Sequence, residues 1–263
     1  MSIYASKGLL IYCCTVAGLL GAVLGSFLNC AAWRIAHEEP WWKGRSHCPE
    51  CGHTLGAADL VPVFSWLLLK GRCRYCGTKI AARYMLTELL FAALTVICLL
   101  RFDLTVLCLR NWIFICCLFC LALVDMESYI IPDGCLIISA VVWAAAAPLL
   151  GMGLAEIGKG LAAGLTYGGG MLLMSLAMDK ILKKESLGGG DIKLFAVAGL
   201  YLGFIGTLFG MLLACVLGLL CVVIARKGKG ERIPFGPAIA AATVIMLFWG
   251  GGFVNWYLGL LSF

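Results

Sequence analysis

Long apolar runs separated by short polar segments dominate the chain. Most are close to or above the roughly 20 residues that an α-helix needs to cross a bilayer. They lack the two-residue alternation typical of a membrane β-barrel. The pattern predicts an all-α, polytopic helical membrane protein. The runs cover approximately residues 8–36, 84–100, 104–124, 133–150, 156–178, 192–225 and 236–260.

One run is too long for a single ordinary span. Residues 192–225 number 34, which at about 1.5 Å per residue exceeds the thickness of the hydrocarbon core. Because Gly203 and Gly206 offer a turn in its middle, we predict a hairpin of two helices and about eight transmembrane helices in total. A single strongly tilted helix, which gives seven spans, is the alternative.

Lysine and arginine are concentrated in three connecting segments, residues 37–83, 179–187 and 226–232. Such segments stay on the cytoplasmic side of a membrane, and eight spans place all three there, with the N-terminus outside. Only Lys7 precedes the first run, which is too long for a cleavable signal peptide and is interpreted as a retained span. The net charge of +6 needs no nucleic-acid partner.

Composition adds two points. Hydrophobic residues make up 62% of the chain and charged residues 13%, a balance that excludes a soluble globular protein. Of the fifteen cysteines, eleven lie in or beside apolar runs, where they are interpreted as small hydrophobic residues in packed helices.

The other four cysteines form two matched motifs in the polar loop after the first run. The loop reads C-P-E-C-G-H at 48–53 and C-R-Y-C-G-T at 73–78, a C-x2-C-x21-C-x2-C spacing. Four thiolates in two such turns can surround Zn²⁺ as a closed, structural tetrahedron. A reducible dithiol pair and four unrelated thiols are the alternatives, and a reducing cytoplasm disfavours structural disulfides. The predicted zinc ligands are Cys48, Cys51, Cys73 and Cys76.

Two aspartates stand at the edges of apolar runs, where a carboxylate is costly unless it is used. Asp125 follows the third run, and Asp191 follows three glycines that leave room for an extended peptide. The predicted topology places both at the cytoplasmic face. Two neighbouring carboxyl groups share a proton, so that one can activate water while the other donates to a scissile carbonyl. This is the chemistry of an aspartic peptidase.

Other interpretations of these acidic residues stay open. Asp191 also suits the N-terminal cap of a helix. The aspartates could instead move protons or ions in a transporter, or be inert in a membrane-anchored zinc module that recruits a partner. Glu127, assigned to the connecting loop, and Asp133, placed at the start of the next helix, are rivals of Asp125. We rank Asp125 first because it lies closest to the membrane.

The motifs, their order and their spacing resemble the type IV prepilin leader peptidase family, membrane enzymes also called prepilin peptidase/N-methyltransferases. The similarity covers most of the chain. Besides both cysteine motifs, it includes G-S-F-L-N at 25–29, V-P-V-F-S-W-L-L-L-K-G-R-C at 61–73, A-R-Y-M-L-T-E-L-L at 82–90, G-G-G-D-I-K at 188–193 and I-P-F-G-P-A at 233–238.

The resemblance implies a G-x-G-D intramembrane aspartic endopeptidase of the bacterial cytoplasmic (inner) membrane. Such an enzyme removes the short basic leader from type IV prepilins or pseudopilins at the cytoplasmic face, surrounded by membrane lipid. Asp125 and Asp191 take the catalytic positions. Members with the long tetracysteine loop also methylate the new N-terminal amine with S-adenosylmethionine.

The resemblance also implies a methyl-donor site. Gly71 matches a glycine linked to methyl transfer, and Glu88 and Asn29 are polar groups within spans that could line this site or simply hydrogen-bond between helices. Met85 departs from the family, which usually has proline there. The expected domains are a first transmembrane helix (1–36), a cytoplasmic tetracysteine zinc-binding domain (37–83) and a transmembrane peptidase core (84–263).

Overall fold

The computed structural model describes residues 2–183, 187–225 and 234–261 of the chain. Those ranges are mainly helical, and they contain only two isolated β-bridges and no longer strand. The prediction of an all-α protein is confirmed. The helices are α1 (Lys7–Ala36), α2 (Phe64–Leu68), α3 (Ala82–Phe102), α4 (Val106–Ser128), α5 (Asp133–Leu149), α6 (Leu154–Leu182), α7 (Gly189–Ala225) and α8 (Gly236–Leu261).

Six of these helices are long and apolar enough to cross a membrane. The exceptions are the short α2, in the loop between α1 and α3, and α5, which is apolar but has only 17 residues. The chain is therefore a multi-pass membrane protein, whereas the count of eight spans stays a prediction. The positively charged segment 226–232, on which the predicted orientation partly rests, lies outside the described residues.

The long helix α7 is interrupted by a kink at Gly203, one of the two glycines at which a turn was predicted. Gly203 has φ 68° and ψ −173°, a conformation that only glycine adopts readily. The arm after the kink runs antiparallel to α8, since the Phe209 ring lies 5.0 Å from that of Phe253 and Gly218 contacts Phe235. The arm before the kink packs on α6.

Close helix packing depends on glycine in both halves of the chain. In α1, a Cβ atom on Gly21 would lie 2.7 Å from the Thr95 hydroxyl of α3. In α6, a Cβ atom on Gly164 would lie 2.7 Å from the carbonyl oxygen of Ala196 in α7. Without side chains at these positions the main chains approach closely, which is how helices associate strongly in lipid.

The chain divides into two compact units, residues up to Trp112 and residues from Ile113 onward. The first contains α1, the cysteine loop, α3 and the start of α4. The second contains the rest of α4 and α5 to α8. Each unit holds one of the candidate sites described next.

Candidate functional site

Asp125 lies in the last turn of α4 and is buried, with 5% of its surface exposed. Its Oδ2 atom accepts a 2.8 Å hydrogen bond from the main-chain N–H of Gly236, the first residue of α8. An anionic or polar acceptor is favourable there, because the first N–H groups of a helix have no partner within it. Asp125 therefore caps a helix. The sequence had not suggested this role for Asp125.

Asp191 lies in the first turn of α7 and is half-buried. Its main-chain N–H donates to the carbonyl oxygen of Gly188, at 3.1 Å. The carboxyl group is close enough to Asp125 to interact electrostatically with it. The fold thus brings together the two aspartates that were singled out in the sequence, although 65 residues separate them along the chain.

The three glycines before Asp191 have different surroundings. A Cβ atom on Gly190 would lie 2.8 Å from the side chain of Ile131, so this glycine accommodates a residue of the chain itself. A Cβ atom on Gly188 would lie 3.2 Å from the Asp191 carboxylate, whereas Gly189 faces open space among the described residues. The prediction of room for an extended peptide therefore fits Gly189 best.

The two rival acidic residues have other environments. Asp133, at the start of α5, pairs with Lys193 of α7, whose Nζ lies 2.7 Å from Oδ1 and 3.0 Å from Oδ2. Both side chains of this ion pair are more than half exposed. Glu127 is also exposed, and it lies within α4 rather than in the connecting loop to which the sequence assigned it. That assignment was wrong because α4 continues to Ser128.

The four cysteines of the loop form a cluster in the first unit. The Sγ atoms of Cys48, Cys51, Cys73 and Cys76 all lie within 4.8 Å of one another, and those of Cys48 and Cys76 are 3.9 Å apart. A tetrahedron with Zn–S bonds of about 2.3 Å requires sulfur–sulfur distances of about 3.8 Å. The cluster can therefore hold a metal ion, and its four thiols suit zinc.

Two turns of the same construction present these thiols. In each, the glycine after the second cysteine has positive φ, +69° at Gly52 and +73° at Gly77, and its N–H donates to the carbonyl oxygen of the first cysteine. An isolated antiparallel bridge flanks each turn, His47 with Thr54 and Arg72 with Lys79. The repeated C-x2-C-G sequence thus folds twice into the same turn, of a kind that can present cysteines to a metal ion.

Asp59 ties the segment between the two turns to the second one. Its carboxylate accepts hydrogen bonds from the Arg74 guanidinium at 2.7 Å, the Tyr75 hydroxyl at 3.0 Å and the Gly56 N–H at 3.0 Å. The Arg74 hydrogen bond, with that of Gly56, lowers the pKa of Asp59. The hydrogen bond to Asp59 raises the pKa of Tyr75 above its usual value of about 10.

Gly71 lies beneath the indole of Trp66. It has φ +66°, and a Cβ atom on it would come within 2.7 Å of Trp66 Cζ2. Trp66 Nε1 donates to the Ile80 carbonyl oxygen at 3.1 Å, and Ile80 N–H donates to the Gly71 carbonyl oxygen at 2.7 Å. Gly71 therefore determines where the indole sits.

The two polar residues in spans hold the helices and the loop together. Asn29 Nδ2 donates to the Gly25 carbonyl oxygen at 3.1 Å within α1 and to Thr87 Oγ1 of α3 at 2.7 Å, which is the bond between helices that was the alternative interpretation. Glu88 is buried, and its Oε2 accepts the N–H of Val63 at 2.8 Å. Val63 has φ 63°, an unfavourable value for a β-branched residue, and precedes α2.

Gly236 is the residue of the acidic site that the sequence did not single out. The I-P-F-G-P-A motif was noted only as a marker of the last span. Its one available signal was a glycine beside a proline at the start of an apolar run, a common pattern at helix N-termini. The contact with Asp125 joins residues 111 positions apart and has no local sequence signature.

The helical fold and the paired carboxyl groups define a polytopic membrane protein with an acidic site built from helix ends. Two family models match the chain: the Bacterial Peptidase A24 N-terminal domain over residues 19–102, and the Type IV leader peptidase family over residues 112–223. The second match begins at Trp112, the last residue of the first compact unit. The chain belongs to the type IV leader peptidase family.

Relatives with established names agree with this membership. The prepilin leader peptidase/N-methyltransferase of Bacillus subtilis is 33% identical over 245 residues, covering 91% of this chain and 96% of the relative. That of Aeromonas salmonicida is 33% identical over 227 residues, covering 82% and 75%. The type 4 prepilin-like proteins leader peptide-processing enzyme of Escherichia coli is 31% identical over 264 residues, covering 89% and 92%. No solved structure matches the chain.

Proposed function

We propose that the chain is a membrane-embedded aspartic endopeptidase that removes the leader from type IV prepilins or pseudopilins, with Asp125 and Asp191 as the catalytic pair. The observation that carries the proposal is the electrostatic interaction of the Asp125 carboxyl group, in the last turn of α4, with that of Asp191, in the first turn of α7. Membership of the leader peptidase family and the names of the relatives supply the substrate class.

In the proposed mechanism the pair holds one proton. The ionised carboxylate takes a proton from water, which attacks the scissile carbonyl carbon, and the protonated partner donates to the carbonyl oxygen. The N–H of Gly236 and the N-terminus of α8 stabilise negative charge on Asp125. We therefore assign Asp125 as the ionised member and Asp191 as the proton donor.

The position of the aspartates on their helices suits a cut next to a hydrophobic segment. Asp125 lies in the last turn of α4 and Asp191 in the first turn of α7. A transporter that uses acidic residues for ions would carry them near the middle of the membrane. Together with the positive segments, this supports an enzyme of the bacterial cytoplasmic membrane with its active site facing the cytoplasm.

A second activity is part of the proposal, since relatives are named N-methyltransferases. S-adenosylmethionine would supply a methyl group to the new N-terminal amine of the product. Three residues would shape this site through the contacts they make. Gly71 fixes the position of Trp66, Glu88 binds the main chain of Val63, and Asn29 binds Thr87 of α3.

Zinc bound by Cys48, Cys51, Cys73 and Cys76 would have a structural role, because four thiolates leave no open coordination position. The proposed organisation is a first transmembrane helix (1–36), a cytoplasmic zinc-binding domain (37–83) and a peptidase core (84–263).

The decisive experiment replaces each aspartate by asparagine rather than alanine. Asparagine keeps the size of the side chain and still accepts a hydrogen bond at a helix N-terminus, so the cap on α8 survives in Asp125→Asn. Purified enzyme is incubated with a prepilin and S-adenosylmethionine, and the mass of the product is measured. We expect Asp125→Asn and Asp191→Asn to insert normally and to cleave nothing. Normal cleavage by Asp125→Asn would reduce Asp125 to a helix cap and overturn the assignment.

A further inference from the structure

Two cysteines face each other between α3 and α4. Cys98 Sγ and Cys108 Sγ are 3.9 Å apart. Each sulfur also lies near the other residue's carbonyl oxygen, Cys98 Sγ at 3.7 Å and Cys108 Sγ at 3.6 Å. This reciprocal contact means that the main chains of the two helices are close at this point as well. Rotation of the side chains can bring the sulfurs to the bond length of about 2.05 Å.

The pair lies at the end of α3 remote from the tetracysteine loop. The loop leads into α3 at Ala82, and Cys98 follows after sixteen residues, or about 24 Å of helix. Only residues 103–105 separate α3 from α4. Since α3 is long and apolar enough to span a membrane, the two groups of thiols belong to opposite membrane faces.

That separation gives the two groups different chemistry. Thiols kept as metal ligands need a reducing compartment, and disulfides form and persist in an oxidising one. With the tetracysteine loop in the cytoplasm, the orientation proposed above, the Cys98–Cys108 pair lies next to the external face. The inference rests on that orientation and not on the catalytic assignment.

We propose that Cys98 and Cys108 form a disulfide bond that closes the α3–α4 turn at the external face. Cys108 is half-exposed and Cys98 buried, so Cys108 reacts first. Its thiolate attacks the disulfide of an external thiol oxidoreductase or a small disulfide, and one thiolate leaves. The Cys98 thiolate then attacks Cys108 sulfur and expels the second thiolate. Two thiols lose two protons and two electrons, and the oxidant becomes a dithiol.

The disulfide would add a covalent link to the α3–α4 turn, which hydrogen bonds already stabilise. Asp103, between the two helices, accepts the N–H of Ile3 at 3.0 Å and that of Leu104 at 2.7 Å, and the Tyr4 hydroxyl donates to the Leu100 carbonyl oxygen at 2.6 Å. These contacts fasten the N-terminal segment to the α3–α4 turn. Asp103 has φ 54°, a strained conformation for aspartate, so that a covalent link beside it restrains the turn.

The test reads the thiols directly and involves no peptidase assay. Cells producing the full chain are quenched in acid, and free thiols are blocked with one maleimide after denaturation. The protein is then reduced, blocked with a heavier maleimide, digested and analysed by mass spectrometry. We expect Cys98 and Cys108 to carry the heavier label together. In Cys98→Ser, Cys108 should carry the lighter one, while Cys120→Ser, a matched control in α4, leaves the labelling of the pair unchanged.

The lighter label on both Cys98 and Cys108 of the unaltered chain would overturn the proposal. So would a heavier label on Cys108 that persists in Cys98→Ser, because Cys108 would then be oxidised by another partner. The labelling of Cys98 and Cys108 does not depend on peptidase activity. It therefore stays the same whether or not the aspartate variants lose leader cleavage.

Discussion

The main-chain N–H of Gly236 donates a 2.8 Å hydrogen bond to the carboxylate of Asp125. Helix α8 carries neither aspartate, yet its first residue, Gly236, binds Asp125. The two residues are so close that a side chain on Gly236 would have no space. A Cβ atom on Gly236 would lie 2.7 Å from Oδ2 and 3.1 Å from Cγ of Asp125. The geometry of the acidic pair therefore depends on where α8 begins.

Gly236→Ala should lower the rate of leader cleavage by about tenfold or more, because displacing a catalytic group by even about 1 Å slows the reaction strongly. The added methyl group must push Asp125 or the start of α8 away. Cleavage of a prepilin by purified enzyme measures the effect. Gly251→Ala, in the same helix but with open space around the glycine, is the matched control and should cleave normally.

If Gly236→Ala cleaves at the normal rate, the contact with Asp125 has no part in catalysis. A changed pH profile in this variant would separate a positioning effect from a loss of folded protein. The hydrogen bond acts on the charge of Asp125, whereas loss of folded protein lowers the rate equally at every pH.

The acidic site shows what the sequence can and cannot predict. An aspartate at the edge of an apolar run is visible because its burial in lipid is costly, so both members of the pair could be named. An interruption of the helix near Gly203 was also predictable, because 34 apolar residues are too many for one span. The contact of Asp125 with Gly236 was not, since it depends on how α4 and α8 pack.

Asp133→Asn should leave leader cleavage within about twofold of normal, in contrast to Asp125→Asn. Asp133 is engaged by Lys193 rather than by another carboxyl group. Because this ion pair is well exposed, its loss should cost little stability, as is usual for surface pairs. The same prepilin assay checks the prediction, with Lys193→Met expected to behave like Asp133→Asn. Complete loss of cleavage in Asp133→Asn, with normal insertion, would make Asp133 a member of the catalytic pair.

Gly71→Ala should reduce methylation of the product and leave leader cleavage intact. Its Cβ atom would collide with the Trp66 indole, whose position we link to the methyl-donor site. Gly151→Ala is the control because Gly151 also has positive φ, +65°, but faces open space and lies outside the cysteine loop. Backbone strain therefore affects both variants, and the collision affects only one. Product mass distinguishes cleaved from cleaved and methylated chains, and equal methylation by both variants would contradict the role of Gly71.

Purified protein should contain about one zinc ion per chain, and Cys51→Ser should remove most of it. Without the metal the loop between α1 and α3 has little apolar core of its own, so it should become sensitive to proteases. Elemental analysis and limited proteolysis measure the two effects. Cys14→Ser, which changes a thiol of α1 outside the cluster, should bind zinc normally. Zinc-free unaltered protein with an intact loop would contradict the assignment.

The matched motifs of this loop made the clustering of the four cysteines predictable, because the same local sequence folds into the same turn twice. Asp59 was not predictable as their support. It lies between the motifs, and its partners Arg74 and Tyr75 are fifteen and sixteen residues away. A single acidic residue in a polar loop has no pattern that identifies such partners.

Tyr75 should therefore ionise only above the usual tyrosine pKa of about 10. Its hydroxyl donates to the negative Asp59, which raises the pKa of Tyr75. The hydrogen bond stabilises the folded loop below pH 10, and this contribution is lost as the pH rises through the higher folded value. The ultraviolet absorbance of tyrosinate, taken as the difference between the unaltered chain and Tyr75→Phe, isolates this group. In Asp59→Asn the pKa of Tyr75 should move back towards about 10, and an unchanged value would show that the hydrogen bond to Asp59 is not what raises it.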